Sequence, residues 1–388
     1  MNTPLHPQTR ITQAAIAGDN AHGSVTPPLV LSANYAWRDP CQKPAYDYSR
    51  SGNPTRDQLA TALCELESAS KGIITASGMA AVDLALSLAK PDDLVLAPHD
   101  CYGGSHRLLT AKAKRGYFKL AFIDQTDETQ LRAAFAKRPK LILIETPSNP
   151  LLRITDIRLC TNLAKEAGTL TIVDNTFLSP ALQRPLELGA DIVVHSTTKF
   201  INGHSDVVGG AVLTKDPALG DELQWWANCT GITGAPFDSF MTLRGVRTLF
   251  TRIERQQTSA GALVEVLHTD PRVKQIYYPG LHNHLGHEIA KHQQSGFGSM
   301  LSIEFAESVD VLELLRRTEI FTIAESLGGF ESLICVPAAM THAAMGENGR
   351  KTAGISDRLV RFSIGLEHEN DLITDLLQAL DGARIEPV

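Results

Sequence analysis

The stretch that decides the fold reads ADIVVHSTTKFINGHSD and covers residues 190–206. Its apolar, β-branched run at 192–194 is typical of a strand buried in a parallel sheet. The chain turns polar directly afterwards, and Lys199 follows the predicted strand by a few positions. Lysine is rarely buried without a partner. A lysine that forms a Schiff base with a carbonyl cofactor would explain the position, and a surface lysine after a core strand is the alternative.

A second predicted strand, residues 169–177, contains Asp174, which lies 25 positions before Lys199. If the two strands are parallel neighbours, both side chains lie at the carboxyl edge of one sheet, where open α/β sheets bind ligands. A carboxylate facing a lysine across such a gap suits pyridoxal 5′-phosphate (PLP). The lysine holds the aldehyde and the aspartate keeps the pyridine nitrogen protonated. A structural salt bridge is the alternative interpretation.

Length, charge and cysteine content limit the classes of protein to which the chain can belong. The 388 residues suggest two or three domains. A net charge of −7 gives no electrostatic argument for nucleic-acid or acidic-membrane partners. The six cysteines form no CxxC pair, which fits reduced thiols. Without a signal-peptide pattern or an apolar run of about 20 residues, the sequence predicts a globular cytoplasmic protein.

The order of local patterns predicts an arm and two domains. Residues 1–60 are rich in proline, glycine and polar residues, which predicts an irregular arm that packs on a partner subunit. Thr55 is the expected N-cap of the helix that follows. Residues 61–248 alternate strands and helices, which predicts a mainly parallel sheet covered by helices on both faces. Residues 249–388 predict a smaller α+β domain.

Several polar positions fall at the edge where the ligand is expected. Ser77-Gly78-Met79 opens a helix directly after a strand, and a helix N-terminus is a ready phosphate site. The hydroxyls of Ser196 and Thr198 would add donors there. Tyr102 could stack on a pyridine face, and Arg361, in an alternating strand, could capture a carboxylate through two bonds. Taken singly, each is also explained by an ordinary turn, loop or ion-pair role.

Together these segments resemble the Cys/Met-metabolism family of PLP-dependent enzymes, and the resemblance covers nearly the whole chain. The matching segments are SGM at 77–79, ETPSNP at 145–150, VDNTF at 173–177, HSTTKFINGHSD at 195–206, AESLGG at 324–329 and MTH at 340–342. The resemblance implies an α/β large domain of PLP fold-type I, like that of aspartate aminotransferase, with a smaller C-terminal domain. It also implies a homotetramer built as a dimer of dimers.

The resemblance further implies roles around the cofactor. Lys199 is the covalent attachment point, Asp174 partners the ring nitrogen and Tyr102 stacks on the ring. The residues implied to hold the phosphate are Ser77, Gly78, Met79, Ser196 and Thr198, with Tyr48 and Arg50 reaching in from the neighbouring subunit.

Roles toward the substrate are implied in the same way. Arg361 binds the substrate α-carboxylate, and Asn149 and Ser326 line the site. Glu325 and Arg107 match positions that help to choose the substrate. No metal site is expected.

The resemblance is strongest to bacterial members that make cystathionine, through APHDCYGGS at 97–105, DNTFLSPALQ at 174–183 and WWAN at 225–228. It implies γ-replacement, in which an O-acylhomoserine, with the O-succinyl ester as first choice, reacts with L-cysteine to give cystathionine on the transsulfuration route to methionine. The alternative is γ-lyase activity, which cleaves cystathionine to cysteine, 2-oxobutyrate and ammonia.

One departure from the pattern concerns the substrate. The cystathionine-forming members have Arg-Arg-Gly-Asn-Pro where this chain reads RSGNP at 50–54. The missing arginine, replaced by Ser51, would face the distal end of the acyl donor. The choice among succinyl, acetyl and phospho donors, and the balance between synthesis and cleavage, therefore stay open.

Two other classes of function are alternatives. The segment HNHLGHEIAKH at 282–292 suggests a zinc site, but it is not HExxH, and His287 and His292, five positions apart, would not share one helix face. A non-catalytic binding protein is the second class, and it gives no reason for Lys199, Asp174 and Ser77-Gly78 to occur in this arrangement.

Overall fold

The computed structural model describes residues 5–385, so residues 1–4 of the predicted arm and 386–388 of the predicted C-terminal domain lie outside the described residues. The helices are α1 (Pro7–Thr12), α2 (Pro54–Glu67), α3 (Gly78–Leu86), α4 (Gly103–Lys114), α5 (Glu128–Phe135), α6 (Ile157–Ala167), α7 (Ser179–Leu182), α8 (Pro217–Thr230), α9 (Pro236–Val246), α10 (Leu249–Leu267), α11 (His287–Gln293), α12 (Val311–Arg317), α13 (Gly346–Ala353) and α14 (Glu369–Gly382). The strands are β1 (Lys71–Thr75), β2 (Leu94–Pro98), β3 (Lys119–Ile123), β4 (Leu141–Glu145), β5 (Leu170–Asp174), β6 (Ile192–Ser196), β7 (Gly210–Thr214), β8 (Val273–Tyr277), β9 (Met300–Phe305), β10 (Thr322–Ile323), β11 (Leu333–Cys335) and β12 (Leu359–Ser363).

A seven-stranded sheet carries the site, with strand order β1-β7-β6-β5-β4-β2-β3. Strands β3, β2, β4, β5 and β6 run parallel, and β7 runs antiparallel to both β1 and β6. The predicted mainly parallel α/β sheet is confirmed. β5 and β6 are parallel neighbours, so their carboxyl ends meet at one edge, as the argument from Asp174 and Lys199 required.

The sheet strands are apolar because both faces are covered. Ile172 and Val194 pack with α3 on one face, whereas Val173 and Val193 pack with α5 and α6 on the other. This explains why β4, with the sequence LILIE, is buried at every position and shows no alternation of polar and apolar residues.

A second sheet of five strands lies in the C-terminal part, with the order β10-β11-β12-β9-β8. Its neighbours are antiparallel except for β10 and β11. It packs with α10, α12 and α14 around one apolar core. Arg361 lies in the central strand β12, between Cys335 of β11 and Ser302 of β9, so its backbone is fixed on both sides.

The predicted N-cap of α2 was wrong. The cap is Asn53, whose Oδ1 accepts hydrogen bonds from the N–H groups of Thr55 and Arg56 at 3.0 and 3.1 Å. Proline suits the first helical position, so the helix begins at Pro54 rather than after Thr55. The Thr55 hydroxyl instead accepts from Val30 N at 2.9 Å and ties the irregular arm to the helix.

None of the helices between residues 5 and 385 has the length and apolar character that crossing a bilayer requires.

A buried polar network lies where α2 contacts the edge of the large sheet. Glu67 and His195 are fully or almost fully buried, and Glu67 Oε1 lies 2.7 Å from His195 Nε2. The same oxygen accepts from Asn175 Nδ2 at 2.9 Å. Asn175 follows Asp174, and His195 precedes the Lys199 loop. The carboxylate of Glu67 therefore fixes both segments that carry the predicted site.

We expect Glu67→Ala to destabilise the protein by about 1–3 kcal/mol, because the buried His195 Nε2 loses its hydrogen-bond partner. The measurement is the thermal unfolding midpoint. Glu65→Ala, on the exposed face of the same helix, is the matched control and should leave the midpoint unchanged. Equal midpoints for the two variants would contradict the importance of the network.

Candidate active site

A cavity of about 450 Å³ opens at the carboxyl edge of the large sheet and is walled on its far side by the C-terminal part. The predicted site residues that line it are Ser77, Gly78, Met79, Tyr102, Asn149, Asp174, Ser196, Thr198, Lys199, Glu325, Ser326 and Arg361. The chain therefore brings most of the predicted site together. A larger cleft of about 910 Å³, bordered by β8 and the start of α6, contains none of them.

The start of α3 forms the end of the cavity suited to a phosphate. Ser77 caps the helix by accepting Ala80 N–H at 3.1 Å, while the first N–H groups of a helix have no partner within it. A Cβ on Gly78 would lie 2.6 Å from Ser196 Cβ, so only glycine lets the helix approach β6 this closely. The Thr198 hydroxyl donates to Gly209 O and accepts from Gly209 N, so its side chain would have to rotate to reach a phosphate.

Asp174 supplies the negative group of the cavity. It ends β5, and its Oδ1 accepts from Thr176 N at 3.0 Å. Burial raises the pKa of Asp174, while the hydrogen bonds from Thr176 and the nearby His195 oppose that rise. A cation placed against this carboxylate would be favoured, which is what a protonated pyridine nitrogen provides. The donor set therefore fits PLP.

Lys199 supplies the amine. Its Nζ donates to Ser326 Oγ at 2.6 Å. Burial and the Arg361 guanidinium lower the pKa of Lys199 to about 8, against an opposing effect of Glu325. An amine of this kind is neutral in a useful fraction of molecules near neutral pH, so it can attack an aldehyde or accept a proton.

Arg252 of α10 fixes the loop that carries Lys199. This buried guanidinium donates to Phe200 O at 2.8 Å and to Ile201 O at 3.3 Å. A Cβ on Gly203, whose φ is +70°, would lie 1.9 Å from Arg252 Nη1. The loop closes around Arg252 because position 203 is glycine. The sequence analysis did not identify Arg252.

Arg361 is a buried cation whose bonds are to neutral groups. It is 3% exposed, and it donates from Nη1 to Asn149 Oδ1 at 3.0 Å and from Nη2 to Ser326 O at 2.6 Å. Within residues 5–385 no carboxylate lies at ion-pair distance from it, and Nε has no hydrogen-bond partner. The structural ion pair considered from the sequence is therefore not found there. A carboxylate ligand would supply the missing charge.

Two neighbours hold the groups beside Arg361. Ser326 has φ of +79°, a left-handed conformation unfavourable for a residue with a Cβ, and bonds from Lys199 and Arg361 retain it. His342 Nε2 lies 3.0 Å from Asn149 O, and the carbonyl must accept, so His342 carries its proton on Nε2. Burial, together with Arg361, lowers the pKa of His342 to about 4, so it stays neutral.

Three predicted residues do not line the cavity of their own chain. Tyr48 is 47% exposed. Arg50 lies with its guanidinium 5.3 Å from the Tyr48 ring centre, and its Nε donates to Asn228 Oδ1 at 3.1 Å. Arg107 is exposed on α4. Their contribution to a site, with Tyr48 and Arg50 acting across a subunit boundary, stays a prediction.

The cavity also contains residues for which the sequence analysis gave no role, among them Glu145, Thr176 and Thr341. Glu145 and Thr176 lie in segments that were identified, ETPSNP and VDNTF. The sequence did carry a signal for Glu145, because a carboxylate ends the otherwise apolar strand β4. In the structure, the pairing of β4 with β5 places Glu145 directly beside Asp174.

The histidines at 282–292 have other contacts. His287 Nδ1 lies 2.9 Å from Pro279 O, and its ring lies 4.7 Å from that of His282. Across the part of the chain that the structure describes, no three His, Cys, Asp or Glu residues are grouped so that they could hold a metal ion.

Comparison with known proteins gives a consistent result. The family described as "Cys/Met metabolism PLP-dependent enzyme" matches residues 8–381. The chain is 52% identical to cystathionine γ-synthase of Escherichia coli (strain K12) over 95% of this chain and 96% of the relative. Cystathionine β-lyase of Coxiella burnetii is 44% identical, over 98% and 99%. Cystathionine γ-lyase of Bacillus subtilis (strain 168) is also 44% identical, over 96% and 99%.

Among solved structures, cystathionine γ-synthase from Xanthomonas oryzae pv. oryzae in complex with aminoacrylate and cysteine superposes with a TM-score of 0.96. It is 54% identical and covers 98% of each chain.

The lowered pKa of Lys199 makes a prediction about the apoenzyme. The neutral amine attacks the PLP aldehyde, so the association rate should rise with pH through a midpoint near pH 8, the value to which burial and Arg361 lower the pKa. Arg361→Leu should move this midpoint upward, because a lowering charge is lost, and Glu325→Gln should move it downward. Stopped-flow absorbance measures the rate. Shifts of the same sign in both variants would contradict this electrostatic description.

Proposed function

The chain belongs to the Cys/Met metabolism family of PLP-dependent enzymes, and on that premise we propose that it is a cystathionine γ-synthase. It would join an O-acylhomoserine, with O-succinylhomoserine as the first choice, to L-cysteine and so form cystathionine, in the cytoplasm, on the transsulfuration route to methionine. The observation that carries the assignment to an amino-acid substrate is Arg361, a buried guanidinium with no carboxylate partner among residues 5–385, placed within one cavity with the Lys199 amine. The higher identity to the two γ-synthases than to the lyases supports the choice of reaction.

The residues can be given roles from their contacts. Arg361 and Asn149 would hold the substrate α-carboxylate, because their hydrogen bond places a cation and an amide side by side. Asp174 would hold the ring nitrogen, and the α3 N-terminus with Ser77, Gly78, Met79, Ser196 and Thr198 would hold the phosphate. Tyr102, 42% exposed, would cover the ring. When bound, PLP supplies an electron sink that stabilises negative charge on the substrate carbons.

Lys199 would perform the proton transfers. γ-Replacement needs a proton taken from Cα and another from Cβ before the acyl group can leave Cγ. The Lys199 amine is suited to both steps, because burial lowers its pKa to about 8, which leaves a useful fraction neutral, and Ser326 Oγ orients it. The thiolate of cysteine then adds at Cγ, and Lys199 returns the protons. Glu325, which faces the cavity beside Lys199, would contact the distal part of the substrate.

γ-Lyase activity is the alternative, and Ser51 is the observation that favours it. Ser51 lies in the Tyr48–Gly52 turn of the arm, where its N–H donates to Tyr48 O at 3.0 Å. A hydroxyl there cannot pair with a carboxylate as an arginine would. A weakened hold on the succinyl group would favour cystathionine as the substrate.

A product assay separates these activities. The enzyme receives O-succinylhomoserine with and without cysteine, and cystathionine alone in a separate tube. We expect cystathionine as the main product with cysteine present, and slow 2-oxobutyrate formation without it. Lys199→Ala should form no product in any tube and serves as the blank. Rapid conversion of cystathionine to 2-oxobutyrate without net synthesis would favour the γ-lyase, and pyruvate formation would contradict both.

We also propose that the enzyme is a homotetramer in which Tyr48 and Arg50 complete the neighbouring subunit's phosphate site. The arm exposes large apolar side chains, namely Val25, Leu31 and Trp37, at 65%, 64% and 45%. Exposed apolar groups clustered on an extended segment are typical of a surface covered by a partner.

Mixed subunits test this arrangement. Lys199→Ala and Arg50→Ala chains should each be inactive or weak when tested separately. If Arg50 acts across the boundary, a mixed dimer has one site with an intact Lys199 and an intact Arg50 from the other chain, so mixing should restore activity. If Arg50 acts in its own subunit, every site stays defective and activity does not return. Arg38→Ala, an exposed arm residue, is the control and should retain activity unmixed.

A further inference from the structure

Glu145 is a carboxylate in the cavity for which the proposed reaction has no direct use. It ends β4, is 6% exposed and lies beside Asp174 in the parallel register. Burial, and then the charge of Asp174, raise the pKa of Glu145 well above its usual range. A buried carboxylate next to another is costly, so its contacts indicate what the group does there.

The two oxygens of Glu145 accept from two different loops. Oε2 accepts from Tyr102 N at 2.8 Å, in the loop after β2, and Oε1 accepts from Asn149 N at 3.2 Å, in the loop after β4. Tyr102 is the N-cap residue of α4, and its side chain makes no capping hydrogen bond. Glu145 therefore supplies a hydrogen-bond acceptor to a backbone N–H at the start of this helix. Both bonded residues line the cavity.

Asn149 passes this restraint on to Arg361. Its N–H is held by Glu145 and its C=O by His342 Nε2, while its side-chain oxygen accepts from Arg361 Nη1. Because these two bonds fix the Asn149 backbone, they also direct its side-chain oxygen toward the Arg361 guanidinium.

We propose that Glu145 is a positioning residue, which holds Tyr102 over the cofactor ring and aligns Asn149 and Arg361 for the substrate carboxylate. The proposal rests on the proposed roles of these three residues, but not on whether the reaction is synthesis or cleavage. An ionised carboxylate accepts on both oxygens, and the two backbone N–H bonds favour that form of Glu145 against the burial and the Asp174 charge that raise its pKa. A glutamine of the same shape accepts on one and turns an N–H₂ donor toward the other backbone N–H.

The test compares Glu145→Gln with Glu166→Gln, the same change at an exposed position of α6. The probe is glycine, which has the α-carboxylate but no Cβ and therefore cannot enter γ-chemistry. Its affinity for the holoenzyme is read from the visible absorption of the cofactor. Glu145→Gln should weaken glycine binding about tenfold, as expected for losing alignment of a charged hydrogen bond, and should change the visible circular dichroism of the ligand-free holoenzyme. Glu166→Gln should do neither.

A double-mutant cycle separates positioning from a general loss of structure. Since Glu145 acts on the carboxylate through Asn149 and Arg361, Glu145→Gln should have little further effect on glycine affinity in an Arg361→Leu background. A tenfold loss in both backgrounds would indicate general damage and overturn the proposal, as would wild-type affinity in Glu145→Gln alone. If Arg361→Leu leaves glycine affinity unchanged, the proposed role of Arg361 fails, which is a separate outcome.

A measurement on the wild-type holoenzyme covers the case in which Glu145→Gln does not fold. Hydrogen–deuterium exchange should show the Tyr102 and Asn149 amides protected, although both lie in loops. Exchange at the rate of free loop amides would show that the two bonds do not persist, and would overturn the proposal.

Discussion

The candidate site of this protein depends on four charged side chains that line one cavity. Glu145 and Asp174 lie side by side at the ends of β4 and β5, and Lys199 and Arg361 face the same space. No pair among them forms a close ion pair, so each charge is held by neutral donors and acceptors. Such an arrangement is costly for the free protein. A ligand that carries a cation, an aldehyde and a carboxylate to the matching groups removes much of that cost.

Buried hydrogen bonds outside the cavity fix the segments that carry these groups. Glu67 bonds His195 and Asn175, the residues adjacent to the Lys199 and Asp174 segments, and Arg252 bonds the carbonyls that follow Lys199. These restraints come from α2, the helix before β1, and from α10, the helix after α9. Buried polar networks of this kind rigidify a site because every displaced group would be left without a partner. The geometry of the candidate site thus depends on Glu67 and Arg252, which do not line the cavity themselves.

Much of the fold could be predicted from the sequence because its signals are local. The apolar runs of β4, β5 and β6 required a sheet covered on both faces, and parallel order placed Asp174 and the Lys199 loop at one edge. Where the prediction was wrong, at the cap of α2, the structure has Asn53 in place of the predicted Thr55, because proline fits the first position of a helix and Pro54 occupies it. Glu145 and Arg252 could not be assigned because their partners lie in separate loops that only the folded chain brings near. Tyr48 and Arg50 depend on a second chain, which no pattern within one sequence positions.

The choice between synthesis and cleavage depends on the outer half of the cavity. The proposed roles, proton removal by Lys199, carboxylate capture by Arg361 and charge pairing by Asp174, would serve either reaction equally, and solved synthases and lyases share this fold. What differs is the group attached at Cγ and whether a thiol arrives before water. A succinyl carboxylate would need a donor at its distal end, which the acceptor-only carboxylate of Glu325 does not supply. By the resemblance, Ser51 removes one strong donor from that region, whereas Arg107 remains. If Arg107 reaches a neighbouring site, the acyl donor is recognised across a subunit boundary, and assembly then determines which substrate the shared chemistry acts on.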